Sequence, residues 1–402
     1  MISTPHKDRG HSTVMGGSTA AQIIACPGSL GLSAKVGKSP SSSYAEEGTA
    51  LHEAIAYILN ENVDVRMVLG LNFNDHIISD EQIREALQPA IDSLDDYLGQ
   101  IEDEDGGEFQ FTVEQFVDMP GIEGAFGSAD LVGATPKRSV VLDWKFGSGV
   151  AVYAEENKQG MFYGRSAMHS LPKFFSEDPN WPVDIIVAQP RLESFDVWQT
   201  TVGALEQFRY VCVKAVAEAK SADPPFEEGD HCRFCDAKPL CPLKNAAMGG
   251  ISDRAEMYGG GIPPEMEDCM AVMEQAADVE EYIASVRAFV HNRMVMHGFT
   301  HPDWKIVAKK ANRGWADQKK AEGYLARNGV AKDDRMPRKL ISPAAAEKLL
   351  KPKKIPESYI QAGVSSGTNL VRSTAKGEAI TSFENTTSNT AKENAEKLKG
   401  TF

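Results

Sequence analysis

The chain has 402 residues, of which 42% are hydrophobic, and it carries a formal net charge of −15 at pH 7. This hydrophobic fraction suffices for a sizeable core, and the length predicts one large domain with a smaller one appended. The absence of a run of 18 apolar residues and of a hydrophobic leader in the polar N terminus excludes the membrane-spanning and exported classes, so we expect a cytoplasmic protein.

The first predicted elements are helical. Residues 1–18 are polar and contain glycines, which predicts a disordered N terminus, and a short helix over residues 20–32 follows. Thr49 is the predicted N-cap of a second helix, whose apolar stripe covers residues 51–59. A further helical pattern covers residues 80–101.

His52 lies at the edge of the apolar stripe of the second helix. An edge histidine is most often a packed side chain hydrogen-bonded to a neighbour, and a metal ligand is the alternative. Glu47, shortly upstream, is a weaker candidate for the same site.

Residues 127–145 are predicted to form a β-hairpin, because apolar and β-branched residues flank a turn cluster at residues 136–139. Side chains alternate along the second strand, so Asp143 and Lys145 share one face of an otherwise hydrophobic strand. Asp130, near the end of the first strand, brings a second carboxylate to the same place if the two strands pair.

Two carboxylates and a lysine held on a sheet are suited to binding divalent cations and handling a water molecule when the substrate is a phosphate. The alternative is a structural Asp–Lys ion pair, because so short a motif is common by chance. A strand over residues 108–117 precedes the hairpin. Gly124 and Gly127 in the first hairpin strand indicate a bulge or a close backbone approach, which suits entry of a substrate.

The elements after the hairpin alternate between helix and strand. On a predicted helix over residues 155–169, Gln159 and Tyr163 lie one turn apart on one face, an arrangement that a helix can also have without any function. The apolar run over residues 183–188 is typical of a buried central strand. Arg191, which follows it, is either a phosphate contact or a surface arginine. Two further elements are predicted: a strand over residues 195–201 and a helix over residues 204–222.

Four of the six cysteines are arranged like metal ligands: Cys26, Cys232, Cys235 and Cys241. The spacing alone does not distinguish zinc from an iron-sulfur cluster as the occupant of a tetrathiolate site. A disulfide framework fits less well with the reducing compartment that we expect. Cys212 and Cys269 stand in apolar helical patterns and are predicted to be buried thiols.

The charge is distributed unevenly, because residues 301–402 contain 20 Lys and Arg against 11 Asp and Glu. This basic extension is either a phosphate-tracking surface or a solvated helical face. Its candidate DNA contacts are Lys309, Lys310 and Arg313. Glycine-rich linkers at residues 248–251 and 259–264 predict a separate helical and basic module over residues 263–360, and residues 365–402 are predicted to form a flexible tail.

The order of these motifs resembles the RecB-type branch of the PD-(D/E)xK nuclease superfamily. The residues that carry the resemblance are His52 on a helix, Asp130 in Gly-Ser-Ala-Asp, Asp143-Trp144-Lys145, and Gln159 with Tyr163. The cysteines, one far upstream and three beyond these motifs, resemble the iron-sulfur staple of the AddB nucleases and of the CRISPR-adaptation exonucleases.

Other stretches are similar to a phage and prophage family catalogued as of unknown function, over about residues 18–375. They are the Cys-Pro-Gly-Ser opening, Glu-Gly-Thr-Ala-Leu-His, Gln189-Pro190-Arg191 and Cys-Arg-Phe-Cys-Asp-Ala-Lys.

The resemblance implies an α/β fold with a PD-(D/E)xK restriction-endonuclease-like core, in which helices flank a central mixed sheet and the basic extension follows. Residues 19–247 would form this nuclease domain, closed by the four cysteines. The implied catalytic residues are Asp130, Asp143, Lys145, His52, Gln159 and Tyr163. Of these, His52, Asp130 and Asp143 would bind Mg²⁺ or Mn²⁺. The cysteines would hold a [4Fe-4S] cluster, with zinc as the alternative.

The implied function is that of a metal-dependent DNA exonuclease acting on single-stranded DNA or duplex ends in phage replication or recombination, in the cytoplasm of the bacterial host. A phage single-strand-binding or annealing protein is an implied partner, an oligomer is compatible with the sequence, and no membrane partner is expected. Two alternatives are a non-catalytic DNA-end-binding or recombination scaffold protein and a zinc-stabilised interaction protein. The intact set of two carboxylates and a lysine favours the nuclease.

Overall fold

The computed structural model describes residues 12–36, 43–147, 149–246, 265–308, 314–335, 342–350, 353–361 and 368–372. The chain divides into two compact units, Met1–Val286 and Arg287–Phe402. The main helices are α1 (Gly17–Ala25), α2 (Gly28–Val36), α3 (Ser43–Glu61), α4 (Asp80–Gln82), α5 (Gln88–Asp105), α6 (Lys158–Ser170), α7 (Val202–Ala219), α8 (Met266–His297), α9 (Gln318–Arg327), α10 (Lys332–Arg335) and α11 (Pro343–Leu350).

The strands are β1 (Asn72–Phe73), β2 (His76–Ile77), β3 (Gln110–Asp118), β4 (Phe126–Ala134), β5 (Ser139–Trp144), β6 (Pro182–Gln189), β7 (Ser194–Thr201), β8 (Trp304–Ala308), β9 (Gly314–Trp315), β10 (Ile360–Gln361) and β11 (Thr368–Arg372).

A five-stranded sheet in the order β3-β4-β5-β6-β7 organises the first unit. Strands β5 and β6 are parallel and joined through α6, whereas the other neighbouring pairs are antiparallel. The sheet is therefore mixed. The predicted hairpin, the buried central strand and the strand that follows it are present as β4 with β5, β6 and β7.

Helices cover both faces of this sheet, as predicted. On one face, helices α1, α6 and α7 pack against residues that include Val141 and Ile185. On the other face, helices α3 and α5 pack against residues that include Leu142 and Trp144. Each such large apolar side chain that is fully buried stabilises the fold by roughly 1.5–3 kcal/mol. The alternation predicted for β5 is confirmed, because neighbouring residues of this strand contribute to opposite cores.

The start of the chain is more ordered than predicted. Helix α1 begins at Gly17, and the Ser12 hydroxyl donates a hydrogen bond to the carbonyl oxygen of Gly124 at 2.6 Å. The described part of the segment that was expected to be disordered, residues 12–18, is thus structured. Residues 1–11 of that segment lie outside the described residues.

Two helix predictions need correction. The helix predicted over residues 20–32 is two helices, α1 and α2, because Pro27 disfavours a helical conformation for the residue before it. Helix α3 begins at Ser43, and Thr49 lies inside it, where the threonine hydroxyl donates to the carbonyl oxygen of Ala45 at 3.0 Å. The helix that carries His52 is therefore longer than predicted.

The second unit combines short strands with helices. Strand β8 pairs with β11 and β9 pairs with β10, both antiparallel. Its small core is formed by Leu325, Val330, Ala346, Leu350 and Ile355. The boundary between the units falls within α8, and β11 belongs to the predicted flexible tail, whose residues 373–402 lie outside the described part of the chain.

Candidate metal centre

Strands β4 and β5 bring Asp130 and Asp143 side by side. Leu131 pairs with Leu142 in this hairpin, so a continuation of the register places the two aspartates opposite each other on one face. One carboxylate oxygen of Asp130 accepts the backbone N–H of Trp144 at 2.7 Å, and both carboxyl groups are buried. The hairpin thus concentrates two negative charges where the fold offers little water.

Lys145 and helix α6 complete the site around Asp143. Lys145 Nζ lies 2.8 Å from Asp143 Oδ2 and donates to Gln159 Oε1 at 2.8 Å. Gln159 Nε2 donates to Asp143 Oδ1 at 2.9 Å and to the Tyr163 hydroxyl at 3.3 Å. A single glutamine amide therefore fixes three of the side chains that were predicted to be catalytic.

Two glycines admit the ring of Tyr163. A Cβ atom on Gly17 would lie 2.5 Å from Tyr163 Cζ, and a Cβ atom on Gly127 would lie 2.8 Å from Tyr163 Cε1. Any side chain at either position would displace the ring. Gly127 thus accommodates the tyrosine rather than a substrate, which corrects the interpretation from the sequence. Gly124 has φ +79°, a conformation that favours glycine.

Helix α3 brings His52 to Asp130. The Nδ1 atom of His52 lies 3.3 Å from Asp130 Oδ2. The imidazole also packs edge-on against Phe146, with the ring centroids 5.2 Å apart. Because Phe146 follows Lys145 directly, this contact joins the helix to the end of β5 that carries the lysine.

Glu114, which the sequence did not single out, completes the group. The ligand atoms of His52, Glu114 and Asp130 all lie within 4.8 Å of one another, an arrangement found once among the described His, Cys, Asp and Glu side chains. Glu114 has φ 50° within β3, a conformation that costs energy outside glycine, and it accepts a hydrogen bond from the Ser128 hydroxyl at 3.0 Å. One imidazole and two carboxylates are suitable ligands for Mg²⁺ or Mn²⁺.

Burial and mutual repulsion alter the protonation of this group. Burial, and next the charge of Asp130, raise the pKa of Glu114 from 4.5 to about 7. Burial also raises the pKa of Asp143, an effect that Lys145 opposes. Burial opposes protonation of His52, but the charges of Asp130, Glu114 and Asp143 raise its pKa to about 9. Binding of a divalent cation by these side chains would therefore release protons, because the metal-binding forms of imidazole and carboxyl groups are the deprotonated ones.

Arg191 forms an internal ion pair rather than lying on the surface, and the phosphate contact considered from the sequence stays a prediction. Arg191 is half-buried, its NH2 donates to Glu47 Oε1 at 2.5 Å, and its NH1 donates to the carbonyl oxygen of Phe146 at 3.0 Å. Glu47 also accepts a hydrogen bond from Gln82 at 2.9 Å, so it is engaged outside the metal group. Arg191 thus connects Glu47 on helix α3 to Phe146, the residue that follows Lys145.

The segment that carries Cys232, Cys235 and Cys241 lies against helix α1, which ends just before Cys26. Gln22 Nε2 of helix α1 donates to Cys235 Sγ at 3.1 Å, although 213 positions separate the two residues. Burial raises the pKa of Cys235, a backbone hydrogen bond with Ala237 opposes this effect, and the charges of Cys232, Cys26 and Cys241 add to it. The fold thus brings the two segments together, and a metal site shared by the four cysteines stays a prediction.

The remaining predicted residues lie elsewhere. Cys212 is buried, as expected, and burial raises its pKa to about 12. Cys269 is partly exposed, in contrast to the prediction. The candidate DNA contacts Lys309, Lys310 and Arg313 lie outside the described residues.

The fold and the site together define a mixed α/β protein with a candidate divalent-cation centre on its central sheet. The chain belongs to the family described as "Protein of unknown function (DUF2800)", which matches residues 11–374. Among the described residues, no helix is both long enough and apolar enough to cross a membrane.

Similarity to solved structures is low. LHK-Exo in complex with dAMP has a TM-score of 0.25 at 13% identity, with 54% of this chain and 93% of LHK-Exo covered. Another crystal structure of LHK-Exo, an alkaline exonuclease from Laribacter hongkongensis, has a TM-score of 0.24 at 12% identity, with 52% and 89% covered. SSO0001 has a TM-score of 0.24 at 11% identity, with 56% and 84% covered.

Proposed function

We propose that the chain is a metal-dependent nuclease that hydrolyses phosphodiester bonds of DNA. The observation that carries this proposal is the convergence of seven side chains from separate elements on one buried site. They are His52, Glu114, Asp130, Asp143, Lys145, Gln159 and Tyr163. An isolated structural ion pair would need neither the third carboxylate nor the histidine.

The residues present fit a divalent cation. His52, Glu114 and Asp130 would hold the ion in their deprotonated forms, with Asp143 beside them, because their ligand atoms are already gathered. When bound, Mg²⁺ or Mn²⁺ supplies Lewis-acid chemistry that polarises the phosphoryl group and makes water a better nucleophile.

Lys145 contributes the positive charge of the chain itself. Its ammonium is held between Asp143 and Gln159 at 2.8 Å from an oxygen of each. From this position Nζ can donate to a phosphoryl oxygen or orient the attacking water, which stabilises charge that develops in the transition state. Gln159 keeps the lysine in place, and Tyr163 supports the glutamine through its hydroxyl group.

The resemblance in motif order supports a RecB-type exonuclease that acts on single-stranded DNA or duplex ends in phage replication or recombination. A phage single-strand-binding or annealing protein would then be its functional partner. The basic extension at residues 301–402 supports DNA binding through its charge.

The contact between helix α1 and the segment of the three later cysteines supports a [4Fe-4S] cluster with a structural role. Cys26 would join the α1–α2 corner to the segment that follows α7, and closing so long a loop restricts the unfolded chain. Anaerobically purified protein should be brown, with broad absorbance near 400 nm and stoichiometric iron and sulfide. Colourless protein that contains zinc would replace the cluster with a zinc site.

The nuclease proposal is tested with end-labelled single- and double-stranded DNA in Mg²⁺ or Mn²⁺. We expect the wild type to degrade at least one substrate, and Asp143→Ala and Lys145→Ala to lose this activity while retaining the fold and the thiol-bound metal. A folded wild type that binds DNA ends without cleaving any of them would instead indicate the scaffold function.

A further inference from the structure

Residues 150–154, between β5 and α6, are held by hydrogen bonds to two polar side chains. Gln189, 2% exposed, accepts the N–H of Val152 at 2.7 Å and donates to the carbonyl oxygen of Val150 at 2.9 Å. Asp196 accepts the N–H of Ala154 at 2.7 Å. Two polar side chains thus fix the backbone of this surface loop. A side chain that projects from the loop is therefore held in one place.

Tyr153 is the side chain that this arrangement presents. It is 69% exposed, whereas the next residue, Ala154, is completely buried. The carbonyl oxygen of Tyr153 accepts a hydrogen bond from Asn157 Nδ2 at 3.0 Å. The backbone on both sides is therefore fixed while the ring projects into solvent, so a ligand that stacks on it would order little else.

The loop emerges at the end of the sheet that carries the candidate catalytic lysine. The N–H of Lys145 donates to the carbonyl oxygen of Ala188 at 2.8 Å, and Gln189 follows Ala188 directly. The same loop leads into helix α6, which carries Gln159. Val150 and Leu192, both partly exposed, add apolar surface at this end.

We propose that Tyr153 is a stacking platform for an unpaired nucleobase of the DNA strand bound at the metal centre. This inference rests on the proposed nuclease function and specifies its substrate as a single strand or a frayed end, because a base inside a duplex has no free face. Stacking of a base on an aromatic side chain is tolerant of sequence and contributes substantially to single-strand binding. A position next to a site that handles phosphodiesters favours a nucleobase over a peptide as the partner of this ring.

The test compares Tyr153→Ala and Tyr153→Trp with the wild type for binding of fluorescent single-stranded DNA in EDTA, where hydrolysis is prevented. We expect the alanine variant to bind about tenfold more weakly and the tryptophan variant to bind at least as well as the wild type. Tyr210→Ala, which removes another exposed tyrosine on α7, serves as the matched control and should bind normally.

DNA with abasic sites near its end separates stacking from other roles. The wild type should bind this DNA as weakly as Tyr153→Ala binds intact DNA. The alanine variant should bind both DNAs with equal affinity. Equal affinity of Tyr153→Ala and wild type for intact DNA, or a change in oligomeric state with unchanged DNA binding, would overturn the inference. If the wild type cleaves DNA in Mn²⁺ in that case, the nuclease proposal survives; if it neither binds nor cleaves DNA, both proposals fail.

Discussion

Two clusters of buried charge lie toward opposite ends of strand β5, and they are built differently. At the β4–β5 turn, Arg138 forms two hydrogen bonds with Asp105, at 2.8 and 2.9 Å, and a longer one with Asp184 at 3.3 Å. Asp184 also accepts the Tyr97 hydroxyl at 2.7 Å and the Gln199 amide at 2.9 Å. We call this group the Arg138 network. Each of its carboxylates has donors that balance its charge.

The candidate metal cluster at the other end, formed by His52, Glu114, Asp130 and Asp143, gathers three carboxyl groups beside one imidazole. Although burial favours the neutral form of Asp105, hydrogen bonds from Arg138 and Thr135 hold its pKa below the ordinary value. In the metal cluster, by contrast, the pKa values of Glu114 and Asp143 are raised. Asp105 is thus paired with a guanidinium, whereas burial dominates at Glu114 and Asp143, which is typical of groups at functional sites.

The largest effect is expected from Asp143→Asn. This isosteric change removes a charge that the transition state needs, so DNA cleavage should fall by about 10³-fold. The stability of the metal-free protein should not decrease, because burial already disfavours the ionised aspartate. Initial cleavage rates and urea unfolding in EDTA measure the two effects, and a variant that keeps activity but loses stability would reverse the assignment.

The next largest effect is expected from Arg138→Met, a substitution in the Arg138 network. It leaves Asp105 and Asp184 buried without their cation, which should destabilise the protein by about 3–5 kcal/mol. The activity of each folded molecule should remain, because the network lies away from the cleavage site. Chemical unfolding measures the stability. Cleavage rates divided by the titrated concentration of active sites measure the activity of each folded molecule. A rate per folded molecule that drops as far as in Asp143→Asn would contradict the separation of the two clusters.

The two clusters should respond to pH with opposite sign. Because the pKa of Glu114 is raised, its contribution to stability is full below pH 4.5 and is lost as the pH rises through about 7. The contribution of His52 is full below pH 6.5 and is lost as the pH rises through about 9. Asp105, with its lowered pKa, contributes above pH 3.8, and this contribution is lost as pH falls through its folded pKa.

Metal-free protein should therefore lose stability between pH 5 and 9, and Glu114→Gln should reduce this loss by about 1–3 kcal/mol. Unfolding by urea in EDTA across this range checks the slope. Glu85→Gln, which removes an exposed carboxyl group, is the matched control and should leave that slope unchanged. An unchanged slope in Glu114→Gln would show that this carboxyl group is not perturbed.

The smallest effect is expected from Arg191→Lys. Lysine cannot form both hydrogen bonds that connect Glu47 with the carbonyl oxygen of Phe146, so the alignment of His52 and Lys145 should loosen. We expect kcat to fall by roughly tenfold, about 1.4 kcal/mol, with little change in KM. A change confined to KM and to the salt dependence of DNA binding would instead support the interpretation of Arg191 as a phosphate contact.

Much of the fold and part of the site follow from the sequence. The alternation of β5 places Asp143 and Lys145 on one face, and the turn at residues 136–139 pairs this strand with the one that carries Asp130. These are local patterns with a fixed period, so they predict the arrangement of side chains in the folded sheet. The prediction that Cys26 shares a site with the later cysteines follows only from a family resemblance, because no local rule connects positions so far apart.

Other features depend on tertiary contacts that no local pattern reports. Glu114 looks like any polar residue on the outer face of an alternating strand, and only the hairpin beside it brings it to Asp130. Arg191 looks like a surface residue because its partner Glu47 lies on a distant helix. Thr49 looks like an N-cap, but its hydroxyl bonds backward within a longer helix.

The candidate metal centre is tested by Mn²⁺ binding to the intact chain in the absence of DNA. Electron paramagnetic resonance measures this binding for the wild type, Asp130→Asn and Glu114→Gln. We expect saturable binding by the wild type and affinity lowered by tenfold or more in both variants. The matched control, Asp105→Asn, should bind Mn²⁺ normally per folded molecule. Absence of Mn²⁺ binding, or equal binding by Asp130→Asn, would contradict the claim that this cluster is a metal centre.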